Sequence, residues 1–377
     1  MKQKSIHKEG TIMEKSKHYQ HGGDLEAIEE YYGIPRHKLI DFSSNVNPLG
    51  ISPKAKKELA QNLDLISTYP DRKYTQLRQK ISKYTGADFE SILVGNGSTE
   101  LISLFITLIH PKKSLIIGPT YSEYEREIFL TGGKAEYYPL KEELNFQLDI
   151  NHLKTYLSDD IDLLVICNPN NPTGSFISQK ELAVILDFCR SKNIYVMIDE
   201  TYIEFVENMD EVTAVPLSKT YDNLIILRGI SKFFSSPGLR FGYGICGNPE
   251  LIKRMDEIKN PWTINILASF GAGIMLEDGE YIGATKALIH SERSKIYNTL
   301  KEWKNIKVYK PSANFVLFKL LRDDITSSMI FEKLIAKHMI IRDASSFPFL
   351  DSRYMRFCFL LPEQNQKLLD ALKDIIE

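Results

Sequence analysis

The sequence has few of the features that mark secreted, membrane-bound or nucleic-acid-binding proteins. Its 377 residues include only four cysteines, which are scattered along the chain: Cys167, Cys189, Cys246 and Cys358. Such spacing favours buried free thiols in a reducing cytoplasm over disulfides or a metal site. The formal net charge of −2 gives no excess of positive charge for nucleic acid or an anionic membrane surface. We therefore expect neither a metal ion nor a nucleic acid as a ligand.

Long apolar segments are also missing. One of the longest runs, LISLFITLI at 101–109, is far shorter than the roughly 20 residues that span a bilayer. Residues 1–20 are polar and charged and lack the apolar core of a signal peptide. We expect a cytoplasmic protein without a membrane-spanning segment, in which residues 1–20 form a polar extension.

Short apolar runs alternate with helical patterns through the first two thirds of the chain. The runs are SILVG, SLIIG, DLLVIC, YVMID, LIIL and FGYGIC. Nearly continuous apolar strands separated by helices predict a mostly parallel sheet covered on both faces. The sequence therefore predicts an α/β protein.

The pattern changes after about residue 265. A long helical region precedes the strand-like runs NFVLFKL, MIIRDA and YMRFCFL, and a final helical pattern follows them. This order is typical of a smaller α+β domain. We predict a large domain over 49–266 and a small domain formed by 21–48 and 267–377.

Polar segments follow several of the predicted strands, at the edge where ligands bind in such sheets. GNGST (95–99) opens a helix, and free N–H groups at a helix start favour a phosphate. The alternative is a glycine turn with Ser98 or Thr99 as the helix N-cap. Tyr121 follows the next strand, where its ring could stack on a planar ligand or simply pack in the core.

Two further strand ends carry polar side chains. NPNNPTG (168–174) offers the amide of Asn171, although ordinary loop chemistry explains its prolines and glycine. Asp199 follows the apolar run YVMI, so its carboxylate is expected to be buried and to need a cation or several donors. Tyr202 is near enough to face the same crevice, and a helix-capping role for Asp199 is the alternative.

The segment RGISKFFSSPGLRFGY (228–243) contains the most informative lysine of the chain. Lys232 lies between Ser231 and two phenylalanines, and Arg240 follows eight residues later. Two interpretations fit these residues. Lys232 is either a surface lysine on a loop or an amine held for covalent chemistry beside a bound anion.

The ordered set YPD, GNGST, PTY, NPNNPTG, DETY and SKFFSSPGLRFGY resembles the motifs of the fold-type I pyridoxal-phosphate enzymes over nearly the whole chain. The resemblance implies a large domain with a mostly parallel sheet, a smaller α+β domain and pyridoxal 5'-phosphate as cofactor. It also implies that Lys232 binds the cofactor aldehyde covalently and that Asp199 pairs with the ring nitrogen.

The same resemblance implies roles for the other motif residues. Asn171 and Tyr202 would hydrogen-bond the ring oxygen, and Tyr121 would stack on the ring. The phosphate would be held by Gly97, Ser98, Thr99, Ser231 and Arg240, together with Tyr69 from the neighbouring subunit of a homodimer. Gly229 departs from the family pattern, because relatives usually carry a phosphate-binding serine or threonine there.

The N-terminal segment HGGDLEAIEEYYGIPRHKLIDFSSNVNPLG (21–50) resembles the threonine-phosphate decarboxylases of cobalamin biosynthesis. PWTIN (261–265) supports the same resemblance, whereas the general motif frame is shared with the histidinol-phosphate aminotransferases. The resemblance implies that His21 and Asn45 contact the substrate phosphate, although a histidine in a glycine turn is otherwise unremarkable. Arg342 and Arg356 would hold the substrate carboxylate or phosphate.

The implied partner is a small phosphorylated amino acid. The implied activity is decarboxylation of L-threonine O-3-phosphate to (R)-1-amino-2-propanol phosphate, with L-serine O-phosphate to ethanolamine phosphate as a second candidate. Amino transfer from histidinol phosphate to 2-oxoglutarate is the alternative, since motifs do not encode which bond breaks. A DNA-binding regulator on this fold is disfavoured, because no helix-turn-helix pattern precedes HGG.

Overall fold

A seven-stranded sheet forms the centre of the molecule. The structure is a computed structural model and describes residues 22–377. The strand order is β2-β8-β7-β6-β5-β3-β4. The strands are β2 Ile92–Gly95, β3 Lys113–Gly118, β4 Lys134–Pro139, β5 Leu163–Cys167, β6 Tyr195–Asp199, β7 Leu224–Gly229 and β8 Gly242–Cys246.

The central strands of this sheet run parallel to one another, and β8 is antiparallel to both of its neighbours. Every residue of β5 and β7 is buried, which agrees with a sheet covered on both faces. The expected mostly parallel α/β sheet is therefore confirmed. The edge strand β4 has alternating exposure, and the continuous apolar pattern did not reveal it.

Helices cover the large sheet and link its strands. Several begin with local caps, such as the reciprocal bonds between Ser178 and Glu181 at the start of Gln179–Ser191. In the part of the chain up to residue 275, the helices are α1 Leu25–Tyr32, α2 Pro53–Gln61, α3 Thr75–Thr85, α4 Gly97–Ile109, α5 Glu123–Leu130, α6 Ile150–Tyr156, α7 Gln179–Ser191, α8 Pro249–Ile258 and α9 Ile266–Met275.

The C-terminal part forms a second, antiparallel sheet of order β12-β13-β10-β9. Its strands are β9 Ile306–Val308, β10 Phe315–Leu320, β12 Arg342–Asp343 and β13 Tyr354–Cys358. Its helices are α10 Gly279–Lys301, α11 Ser327–Ile335 and α12 Pro362–Ile376. In the register of β12 and β13, Arg342 lies directly opposite Arg356, which places the two guanidinium-bearing residues side by side.

The N-terminal segment joins this second sheet region. β1 (Ile40–Asp41) pairs in parallel with β11 (Met339–Ile340), and the amide of Cys358 donates to the carbonyl of Phe42. These contacts place the first described residues near Arg342 and Arg356. The domain boundaries given above remain a prediction.

Glu142 connects the two sheet regions. Its carboxylate accepts hydrogen bonds from Lys307, Lys319, Tyr309 and Tyr354 of the second sheet region. Burial alone would raise the pKa of Glu142, but the bonds from Lys319, Lys307 and the two tyrosines lower it to about 2. A single ionised carboxylate therefore holds a loop of the large sheet against three strands of the smaller one.

The cysteines are buried free thiols, as the sequence predicted, and each lies in a strand or a helix. Within residues 22–377, no helix combines the length and the apolar character needed to cross a bilayer.

Candidate active site

A cavity of about 450 Å³ opens at the carboxyl ends of the parallel strands. Tyr121 follows β3, Asn171 follows β5, Asp199 ends β6, and Lys232 follows β7, so consecutive strands deliver their polar residues to one place. This is the position where open α/β sheets bind ligands. The second sheet region closes one side through Arg342 and Arg356.

Most of the residues singled out in the sequence line this cavity. They are Asn45, Gly97, Ser98, Thr99, Tyr121, Asn171, Asp199, Tyr202, Ser231, Lys232, Arg240, Arg342 and Arg356. His21 lies outside the described residues. Tyr69 does not line the cavity of its own chain.

Lys232 occupies the floor of the cavity. Its Nζ donates to the backbone carbonyl of Ser44 at 2.6 Å. Burial lowers the pKa of this amine to about 8, and the positive charges of Arg356 and Arg240 contribute to the shift. A substantial fraction of the amine is therefore neutral near pH 8, as a nucleophilic lysine requires. The surface-lysine interpretation is wrong.

Asp199 is buried at the end of β6 and is held by neutral donors. Its Oδ1 accepts from the backbone amide and the hydroxyl of Thr201, at 2.9 and 2.6 Å. Its Oδ2 accepts from the hydroxyl of Tyr124 at 2.7 Å. The expected group of several donors is present, and the bond to the amide of Thr201 shows that Asp199 also orders the following turn.

An anion cradle forms where α4 begins. A Cβ at Gly97 would lie 2.8 Å from a terminal nitrogen of Arg240, so only glycine lets the guanidinium approach the helix start this closely. The first N–H groups of a helix have no partner within the helix and attract anions. The N-cap is Asn96, so the alternative in which Ser98 or Thr99 caps the helix is wrong. The cradle suits a phosphate.

Two tyrosines and two amides surround the space between Lys232 and Asp199. The Nδ2 of Asn45 donates to the hydroxyl of Tyr202 at 3.2 Å. Burial and the neighbouring Glu123 and Asp199 raise the pKa of Tyr121 to about 12, so its hydroxyl stays neutral. The Oδ1 of Asn171 accepts from Arg356, which leaves the amide nitrogen of Asn171 as the donor for a ligand.

Arg356 is a buried cation with few partners. Besides Asn171, it donates to the carbonyl of Ser43 at 2.5 Å, and within the described part of the chain no carboxylate lies within ion-pair distance of it. Its Nε also has no hydrogen-bond partner among these residues. Burial lowers the pKa of Arg356. A buried, incompletely paired cation favours an anionic ligand.

Arg342 lies beside Arg356, and its orientation is fixed by the segment that follows β12. It donates to the hydroxyl of Ser346 at 2.7 Å, and its Cζ lies 5.4 Å from the ring centre of Phe347. Burial and the charge of Arg356 lower the pKa of Arg342 to about 10. Gly22 lines the same side of the cavity. A side chain at Gly22 would collide with the carbonyl of Ser43, so the chain approaches this closely only with glycine.

Tyr69 lies away from this cavity on the surface. It is 80% exposed and packs against Trp262, with ring centres 4.9 Å apart. Trp262 is also exposed, so the two rings form a small aromatic patch on the surface. The position is compatible with a contribution to a second subunit's site, which remains a prediction.

The residues of the cavity fit pyridoxal phosphate. Four of the described lining residues are cationic, namely Lys232, Arg240, Arg342 and Arg356, and Asp199 is the one acidic residue among them. This charge suits a ligand with several negative groups. The amine, the carboxylate and the helix-start cradle provide the three kinds of contact that the aldehyde, ring nitrogen and phosphate of this cofactor require.

The sequence analysis missed several residues that contact the cavity. Tyr124, Thr201, Ser346 and Phe347 line it, and so do the serines at 43 and 44. Tyr124 lies in the first turn of α5, and its ring centre is 5.6 Å from that of Tyr121, which precedes the helix. The others depend on the folding of segments that are distant in sequence.

Comparison with known proteins identifies the family. The family model "Aminotransferase class I and II" matches residues 37–372. A relative from Caldanaerobacter subterraneus subsp. tengcongensis, provisionally named threonine-phosphate decarboxylase, is 40% identical over 97% of this chain and 96% of its own. The threonine-phosphate decarboxylase of Salmonella typhimurium is 33% identical over 94% of this chain and 96% of its own.

Solved structures agree with this result. The histidinol-phosphate aminotransferase of Clostridium acetobutylicum is 34% identical, with a TM-score of 0.83 over 89% of this chain and 99% of its own. The match confirms the predicted fold and the predicted cofactor. The chain belongs to the class I and II aminotransferase family of pyridoxal-phosphate-dependent enzymes.

Proposed function

We propose that the protein is a pyridoxal-phosphate-dependent carboxy-lyase that acts on an O-phospho-amino acid, with L-threonine O-3-phosphate as its substrate. The observation that carries this proposal is the pair of buried arginines, Arg342 and Arg356, beside the amine of Lys232. Two adjacent cations suit a substrate with two anionic groups, a carboxylate and a phosphate. The similarity to two threonine-phosphate decarboxylases supports the same substrate class.

In this proposal the cofactor is held at three points. Lys232 binds it covalently, Asp199 pairs with its ring nitrogen, and the start of α4 with Arg240 and Ser231 holds its phosphate. Tyr121 stacks on the ring. Asn171 and Tyr202 contact the ring oxygen, and the orientation that Arg356 imposes on Asn171 supports this role because it leaves the amide nitrogen to donate.

The substrate is then fixed at both ends. Arg356 holds the carboxylate, and Arg342 holds the phosphate together with Asn45 and His21 from the N-terminal segment. When bound, the cofactor supplies an electron-accepting ring that stabilises the charge left on the carbon from which carbon dioxide departs. Fixing both ends would hold the substrate in one orientation, so that the residues around it would select which bond of the reacting carbon breaks.

Lys232 is also suited to the proton transfer that completes the reaction. After carbon dioxide has left, the reacting carbon must take up one proton. In the net reaction, one amino acid and one proton therefore give one amine and one carbon dioxide. With its pKa lowered to about 8, Nζ of Lys232 can hold this proton and release it near neutral pH. The product from L-threonine O-3-phosphate is 1-amino-2-propanol phosphate, and L-serine O-phosphate gives ethanolamine phosphate. Formation of 1-amino-2-propanol phosphate would place the reaction in cobalamin biosynthesis.

Amino transfer from histidinol phosphate is the second candidate. The similarity to the Clostridium acetobutylicum aminotransferase supports it. That enzyme is 34% identical to this chain, and the Salmonella decarboxylase is 33% identical. Histidinol phosphate carries a phosphate but no carboxylate, so it would offer the two arginines a single anionic group. An aminotransferase must also admit 2-oxoglutarate in a second half-reaction.

We further propose that the working unit is a cytoplasmic homodimer in which Tyr69 reaches the cofactor phosphate of the partner subunit. The exposure of Tyr69 and its packing on Trp262 support this arrangement. Neither residue contacts the cavity of its own chain.

A spectroscopic binding experiment tests the substrate assignment. Purified holoenzyme is titrated with O-phosphothreonine, O-phosphoserine and histidinol phosphate while the visible absorption is recorded. We expect the band to shift with O-phosphothreonine and not with histidinol phosphate. A shift with histidinol phosphate alone, followed by glutamate formation on addition of 2-oxoglutarate, would show that the second candidate is correct.

A further inference from the structure

The hydroxyl of Tyr124 makes a buried contact with Asp199, the carboxylate that is proposed to pair with the ring nitrogen of the cofactor. Tyr124 lies in the first turn of α5, is fully buried, and lines the cavity. Its hydroxyl donates to Oδ2 of Asp199 at 2.7 Å. A buried tyrosine hydroxyl aimed at a carboxylate is a specific arrangement, because aromatic packing alone would not require it.

The other oxygen of Asp199 is fixed independently. Thr201 donates to Oδ1 through both its backbone amide and its hydroxyl. No cation of the described chain lies within ion-pair distance of Asp199, so all three donors are neutral. The three donors therefore fix both oxygens of the Asp199 carboxylate.

The groups around Asp199 remain uncharged near neutral pH. Burial and the charge of Asp199 raise the pKa of Tyr124 well above its ordinary value, so its hydroxyl always acts as a donor. The same two causes raise the pKa of the Cys167 thiol to about 12. Tyr121 and Tyr202 also face this carboxylate, and burial raises both of their pKa values. Asp199 is the one carboxylate among the described residues that line the cavity.

We propose that Tyr124 is a positioning residue that keeps Asp199 aimed at the ring nitrogen of the bound cofactor. The inference rests on the proposed role of Asp199. Without the hydroxyl of Tyr124, the carboxylate of Asp199 would be less firmly aligned with the ring nitrogen, and that nitrogen would carry its proton for less of the time. The ring would then accept electrons less well, and the nitrogen of Lys232 bound to the cofactor would retain its own proton to higher pH.

The variant Tyr124→Phe tests this inference without any substrate. The visible absorption of the holoenzyme is recorded against pH, and cofactor dissociation is measured by titrating the apoenzyme. We expect the midpoint of the absorption change to rise by roughly one to two units, since the lost hydrogen bond to a charged group is worth about that much. The cofactor dissociation constant should rise roughly tenfold for the same reason.

Control variants separate this effect from a loss of packing. Tyr138→Phe removes another buried tyrosine hydroxyl, one that donates to the carbonyl of Asp149 outside the cavity, and should leave the midpoint unchanged. Thr201→Val removes the second hydroxyl from Asp199 and should move the midpoint upwards, whereas Thr201→Ser keeps that hydroxyl and should behave as the wild type.

The possible outcomes separate this inference from the proposed function. If the wild-type protein binds no pyridoxal phosphate, the cofactor assignment is wrong. If it binds the cofactor and Tyr124→Phe titrates as the wild type does, the inference alone is overturned. Should Tyr124→Phe not fold, an unchanged midpoint in Thr201→Val would overturn it, because both variants remove a hydroxyl from the same carboxylate.

Discussion

Gly229 offers the sharpest test of how the cofactor phosphate is held. A Cβ built at this position would lie 3.4 Å from the carbonyl oxygen of Phe241 and 4.0 Å from Oγ of Ser231. Both distances are ordinary van der Waals contacts, so the Cβ of Gly229→Ser fits without moving the backbone. The new hydroxyl would lie near Ser231, which lines the cavity, and would supply the hydroxyl that the family resemblance implies at this position.

The expected gain follows from one hydrogen bond to a charged group. Such a bond contributes about 1.5 to 3 kcal/mol at best, which corresponds to roughly 10- to 150-fold tighter binding of the cofactor. The assay is the dissociation constant of pyridoxal phosphate, measured by titrating apoenzyme while following its absorption. Gly229→Ala is the matched control, because it adds the same Cβ without a hydroxyl. Equal affinities for the serine and alanine variants would refute the reasoning.

Three further predictions follow from the site and from the contacts between the two sheet regions. Lys232→Ala should lose turnover, and borohydride should no longer fix the cofactor to the protein; retained covalent labelling would contradict the assignment. Mixed subunits of Lys232→Ala and Tyr69→Ala should recover about a quarter of the wild-type sites, because half of the dimers then hold one intact composite site; no recovery after subunit exchange would argue against a site shared between subunits. Glu142→Gln should lower the free energy of unfolding at pH 7 by about 1 to 2 kcal/mol, since its partly solvated ion pairs are each worth little. The lowered pKa of Glu142 means that its contribution is complete above its ordinary value of 4.5 and is lost as pH falls towards about 2, so chemical unfolding of the variant should depend less on pH in that range.

The sequence was most informative where strands are buried on both faces. Every residue of β5 is buried, so its apolar run stands out in the sequence. The edge strand β4 alternates charged residues such as Lys134 and Glu136 with apolar ones, because one of its faces meets solvent. An expectation based on continuous apolar runs misses such a strand for this physical reason.

Some residues of the site could be predicted from the sequence, whereas others are brought together only by the fold. Motif residues at strand ends, such as Asp199 and Lys232, were found because each stands next to a recognisable strand. The side-by-side placement of Arg342 and Arg356 depends on the register of two strands, which the sequence does not specify. The bond from Tyr124 to Asp199 likewise joins residues 75 positions apart, so it is visible only in the folded chain.

The measurement that tests the central claim most directly is the release of carbon dioxide from carboxyl-labelled O-phosphothreonine. Purified holoenzyme is supplied with this substrate and with no 2-oxoglutarate, and labelled carbon dioxide is compared with 1-amino-2-propanol phosphate. We predict that one carbon dioxide is released for each amine formed, and that Lys232→Ala releases none. Retention of the label in the amino acid, together with glutamate formation when histidinol phosphate and 2-oxoglutarate are supplied, would contradict the account.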